Sequence, residues 1–186
     1  LLELGHLRLE ALERPEGALE AFSAVLGLEE AAELHDAAAR ALDALLEDSR
    51  ADRPQIAARA AAAVEPYWAA KGAFHELIQT KEARSEVSGP EARAAIRREI
   101  AEIYERALER PEMAFLTLGR AFLDDPEDAA LAEELGRLAT AAQSLEEWAE
   151  LNEEALAAAT RPAARLGLAR RAARIHDREL GRGAAR

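Results

Sequence analysis

The sequence predicts an all-α protein, an α-solenoid of stacked antiparallel helix-turn-helix repeats with about 10 helices. Three observations carry that expectation. Alanine fills about a quarter of the 186 residues, Leu, Glu and Arg fill most of the rest, and Val, Ile, Thr and aromatics are sparse, a mixture that favours helix over strand. Prolines 54, 90, 126 and 162 fall 36 residues apart, and a fixed period of that size signals a repeat. The hexapeptide Ala-Leu-Glu-Arg-Pro-Glu stands at 11–16 and returns at 107–112.

Each proline of the ruler precedes a helical pattern, where its missing N–H and fixed φ suit the first turn. Asp125 before Pro126, with Asp128 three further on, reads as the cleanest helix start, because a carboxylate there accepts orphan N–H groups. A second break follows within each unit, at Lys71-Gly72, Arg110-Pro111, Gln143-Ser144 and Gly181-Arg182-Gly183. Ser144 with Glu147 has the form of a capping box. Matches are best two units apart: Ile103, Leu108 and Arg110 return 72 residues later as Ile175, Leu180 and Arg182.

The hexapeptide's offset of 96 residues then equals two regular units and one shortened to 24. The shortened piece, about 30–53, reads as one long helix with Leu34, Ala38, Ala41, Leu42 and Leu45 at helical spacing. A local irregularity in the array is expected there. Helices this short are marginal alone, so neighbouring pairs must cover one another. Ala18, Ala114, Ala121, Ala139 and Ala155 are the expected close crossings, with Phe22, Leu118, Phe122, Trp148 and Leu156 filling between them.

These residues resemble the tetratricopeptide (TPR) repeat family. Leu135-Gly136 matches its L-G pair, Ala18 with Phe22 matches its A-x3-F element, Ala114 with Leu118 approximates it, and Leu-Asp-Asp-Pro-Glu-Asp at 123–128 looks like a unit boundary. Trp148 stands where a small residue belongs, and the period slightly exceeds the family's 34, so the repeats are divergent. The resemblance covers the chain as a single array, 1–186, outside the irregular unit. It implies a right-handed superhelix whose first helices line a surface that binds a peptide or protein. The lysine-and-asparagine clamp of chaperone-binding members is not visible, since Lys occurs only at 71 and 81 and Asn only at 152.

The formal charge of −12 argues against general affinity for nucleic acid or anionic membrane. Acidity is uneven: residues 161–186 carry 8 arginines against Asp177 and Glu179 alone. No cysteine is present, which excludes a disulfide frame and leaves the compartment open. No apolar run approaches the roughly 20 residues a membrane helix needs. The chain opens at Leu1 and closes on Gly-Arg-Gly-Ala-Ala-Arg, where another helix would start, so a segment of a longer polypeptide is expected.

Catalytic and cofactor motifs fail in turn. His75-Glu76 opens like the zinc-protease H-E-x-x-H, but Gln79 stands where the second His must be. The carboxylates at 124–128 lack the Gly and distant Glu of a calcium loop. His35-Asp36 and His176-Asp177 are adjacent on helices and point about 100° apart. The expectation is a non-catalytic scaffold without cofactor or metal, holding a protein or peptide partner of basic character. A structural spacer or self-associating segment is the alternative.

Two features are candidate partner contacts. Arg170, Arg174 and Arg178 recur every four residues and read either as a solvated flank or as a docking patch for an anionic partner. Tyr67 and Trp68 follow Pro66 inside a long helix. They pack against Phe74 and Leu77 of the next helix, or Trp68 projects from a proline bend as a binding anchor.

Overall fold

The computed structural model describes residues 1–10 and 14–177, and among them every regular element is helical. The chain divides into two units, Leu1–Ile96 and Arg97–Arg186. The first holds α1 (Leu2–Glu10), α2 (Pro15–Leu26), α3 (His35–Ser49), α4 (Pro54–Lys71) and α5 (Phe74–Glu86). Helix α6 (Pro90–Glu102) runs across the division. The second holds α7 (Pro111–Asp124), α8 (Ala129–Ala142), α9 (Leu145–Ala158) and α10 (Pro162–Ile175).

Within each unit, successive helices pack on one another. Contacts also skip a helix, from α2 to α4, from α3 to α5 and from α7 to α9.

Pro54, Pro90 and Pro162 each open a helix. Pro126 does not: it lies in a turn where the Asp125 carboxylate accepts the Glu127 N–H at 3.3 Å. The cap of α8 is Asp128, whose Oδ1 accepts the Leu131 N–H at 3.0 Å. An Asp-Pro-Glu-Asp run offers two caps, and the one nearer the apolar stripe takes the helix. Ser144 holds the N-cap position of α9 without a side-chain capping bond, so the expected box is not made. The breaks at Gly72 and Gln143 are left-handed caps, with φ of 69° and 58°. The last of the expected breaks, at 181–183, lies outside the described residues.

The shortened unit is not one helix. Glu29–Leu34 forms a 3-10 turn broken at Ala31 (φ −112°, ψ 26°), and α3 begins only at His35. The His35 ring nitrogen Nε2 lies 3.0 Å from the Leu28 carbonyl oxygen and ties the turn together. Leu34 is exposed, so the buried stripe starts at Ala38 and continues through Leu42 and Leu45.

The Arg-Pro-Glu ends of the two hexapeptides, at 14–16 and 110–112, are matched in backbone bond and conformation. The Arg14 N–H donates to the Arg8 carbonyl at 2.8 Å, and the Arg110 N–H donates to the Tyr104 carbonyl at 2.7 Å. Both arginines sit outside the helical region, at φ/ψ of −111°/76° and −117°/75°, in line with the bias of a residue before proline away from α. Each is followed by Pro at the first position of a helix, α2 or α7.

The five expected crossing alanines are all buried, with Phe22, Leu118, Phe122 and Trp148 beside them in their units, while Leu156 is only partly buried. Gly5 shows how close the axes come. A Cβ there would lie 2.3 Å from Cε1 of the fully buried Phe22 ring, closer than atoms can pack.

Candidate functional site

In the first unit, α4 continues through Pro66 without interruption. Trp68 is 3% exposed, and its indole N–H donates to Asp43 Oδ2 at 2.9 Å. Asp43 also accepts from the Thr80 hydroxyl at 2.8 Å. Burial raises the Asp43 pKa, against the lowering effect of those two bonds. The Trp68 ring therefore belongs to the core, tied to α3, and offers no face to a partner.

Tyr67 is half-buried. Its hydroxyl donates to Asp36 Oδ1 at 2.8 Å, and Lys71 pairs with the same oxygen. Those two bonds, from Lys71 and then Tyr67, hold Asp36 below the usual carboxylate range. His35 meets the Tyr67 ring edge-on at 5.9 Å. His35 and Asp36 thus both meet Tyr67, at its ring and at its hydroxyl, and do not pair with each other, while His176 pairs with Glu153 rather than with Asp177. His75 lies 3.3 Å from Gln79 Nε2, so the residue that replaces the second His of the zinc motif holds the first one.

The second unit carries two surface features. Between α7 and α9 runs a groove of about 330 Å³ with Leu116, Leu123 and Leu151 on its walls and Glu147, Glu150 and Glu154 along one rim. Leu116 is 54% exposed. Gly119 sets the depth, because a Cβ there would come within 3.0 Å of Leu151 Cδ1. One cation, Arg120, shares the lining with those three carboxylates. Sequence reasoning missed this groove, although Glu147, Glu150 and Glu154 recur at spacings of three and four on one helix.

The other feature is a shallow depression of about 280 Å³ between α8, α9 and the end of α10, lined by Thr140, Leu145, Trp148, Arg171, Arg174 and Ile175. Of the arginines expected to form a patch, Arg170 and Arg174 are exposed on α10, and Arg178 lies outside the described residues. Arg174 Nε donates to the Arg170 carbonyl at 3.2 Å, which turns that side chain back along its own helix.

Arg171 was not among the expected contacts, yet it is the arginine drawn into the fold. Its guanidinium lies 5.7 Å from the Phe122 ring centre and 5.8 Å from that of Trp148. Its Nη1 donates to Asn152 Oδ1 at 3.3 Å. Asn152 is fully buried and is itself fixed by donating to the Trp148 carbonyl at 2.7 Å. Burial, and then the Arg174 charge, lower the Arg171 pKa.

Among the described residues, no helix is long and apolar enough to cross a membrane. No protein-family model, curated protein or solved structure matches this chain.

Proposed function

We propose that this chain is a non-catalytic, TPR-like helical-repeat scaffold that holds a basic, apolar-flanked peptide segment of a protein partner in the groove between α7 and α9. The observation that carries the reading is that groove: leucine walls, an exposed Leu116, and three carboxylates on the rim against one guanidinium. Burying leucine surface supplies affinity, and the acidic rim selects lysine or arginine side chains on the bound segment. The repeat assignment is supported by the 36-residue proline interval, by helix starts at three of those prolines, and by the contacts that skip one helix within each unit.

The test is fluorescence anisotropy with a labelled amphipathic peptide of leucine and lysine. Saturable binding that weakens as salt rises is expected, because rim charges are screened within about 10 Å at 0.1 M. Leu116→Asp, or the triple change of Glu147, Glu150 and Glu154 to Gln, should weaken binding by at least about tenfold, or 1.4 kcal/mol. Neutralising Glu29, Glu30 and Glu33, exposed in the first unit, should leave it unchanged. Equal loss from both sets of substitutions would reduce the interaction to bulk charge and overturn the assignment.

A further inference from the structure

The depression at the end of α10 has donors without acceptors. A guanidinium carries five N–H donors, and among the described residues Arg171 spends one of them, on Asn152. No carboxylate among those residues pairs with Arg171 or Arg174; Arg97, Arg98, Arg137 and Arg161 of the same unit are paired, and of the arginines there without a carboxylate partner these two line the depression. Glu153, on the neighbouring helix, is engaged by His176.

Trp148 supplies a third donor. It is 3% exposed, its indole N–H has no hydrogen-bond partner among the described residues, and it lines the depression. Gly136 lies beside it in the lining, and a Cβ there would sit 3.7 Å from Trp148 Nε1. The absent side chain leaves the N–H uncovered. That N–H is therefore open to a ligand in the depression, and beside it a half-buried cation is costly to keep without a counter-charge.

We propose that this depression is an oxyanion site that takes a carboxylate of an acidic, apolar-flanked peptide, held by Arg171, Arg174 and the indole N–H of Trp148. The planar guanidinium suits a two-oxygen carboxylate. Leu145 and Ile175 on the walls suit apolar residues flanking it. A monoanionic group also meets less long-range repulsion than a dianion in a chain of formal charge −12. Asn152 acts as a positioning residue, fixing Arg171 from below. This site differs from the α7–α9 groove in both lining and ligand charge, so either assignment stands without the other.

The indole N–H resonances give a direct test. Two tryptophans give two such signals in a ¹⁵N correlation spectrum, and Trp148→Phe assigns them. The probe is an acetylated, amidated Leu-Glu-Leu-Glu-Leu peptide, with its Gln counterpart as control. The Trp148 signal should move downfield and saturate with the Glu peptide, stay in place with the Gln peptide, and leave Trp68 unmoved.

Arg174→Gln removes an exposed side chain, so it should weaken the response at least about tenfold with no change in melting temperature. Gly136→Ala should raise helix stability while weakening the response, a split that a purely structural role for Gly136 does not give. A Trp148 signal indifferent to the Glu peptide would overturn the site. Saturation by inorganic phosphate at lower concentration than by the peptide would overturn the carboxylate assignment, and a shift driven by protein concentration alone would assign the site to a second copy of the chain.

Discussion

Replacing Glu65 by glutamine removes the one negative charge in a nearly closed triad. Glu65 lies on α4 and is 9% exposed. Lys81 Nζ reaches its Oε2 at 2.9 Å, and Arg84 Nε lies 3.0 Å from its Oε1 at an ion-pair distance without hydrogen-bond alignment. Breaking a buried pair by removing one partner costs about 3–5 kcal/mol, because the remaining charges stay out of water. Lys81 and Arg84 keep other interactions, which argues for the lower end, about 3 kcal/mol. At 2–4 °C per kcal/mol for a chain of this size, the melting temperature should fall by roughly 6–12 °C.

Thermal and urea unfolding followed by circular dichroism measure both quantities. Glu86→Gln provides the contrast, since its pair with Arg50 is exposed and should contribute less than about 0.5 kcal/mol. High salt should erase that small effect and leave the Glu65 penalty in place. Changing Glu65, Lys81 and Arg84 together to Leu and Met should recover most of the loss. A Glu65→Gln penalty below about 1 kcal/mol would refute the claim that this triad is sealed from water.

Gly5→Ala should destabilise the first unit by about 1–3 kcal/mol through overpacking, because the new Cβ meets the Phe22 ring at 2.3 Å; an unchanged melting temperature would show that α1 gives way instead. Asp128→Ala should cost about 1 kcal/mol and Ser144→Ala a few tenths, since Asp128 makes its capping bond and Ser144 makes none. The Asp128 effect depends on pH. The Leu131 N–H, and less strongly Arg98, lower its folded pKa, so its contribution is present above the unfolded value of about 3.9 and is lost as pH falls through the folded one. The gap between wild type and Asp128→Ala should therefore close in acid, and a gap that widened would contradict the sign.

Helix content and the proline interval could be read from the sequence because both depend on local preference. What could not be read depended on competition or on distant partners. Asp125 and Asp128 compete for one cap three residues apart, and only the register of α8 decides between them. Trp68 as anchor or core turned on Asp43, 25 residues away on another helix, and no spacing rule links the two. Arg171 was legible and overlooked. The four-residue interval directed attention to Arg170 and Arg174, yet Arg171 falls on the buried stripe of Leu168, Ala172 and Ile175, where a cation needs a reason to be.

The recurrent Arg-Pro-Glu junction has a consequence for how such a chain can change. Each copy fixes the exit from one helix and the entry to the next with its own backbone bond and its own proline, and it borrows no side-chain cap from a neighbour. A joint that closes on itself is portable. A change in the length of the segment between two such joints therefore leaves the local geometry of each joint in place.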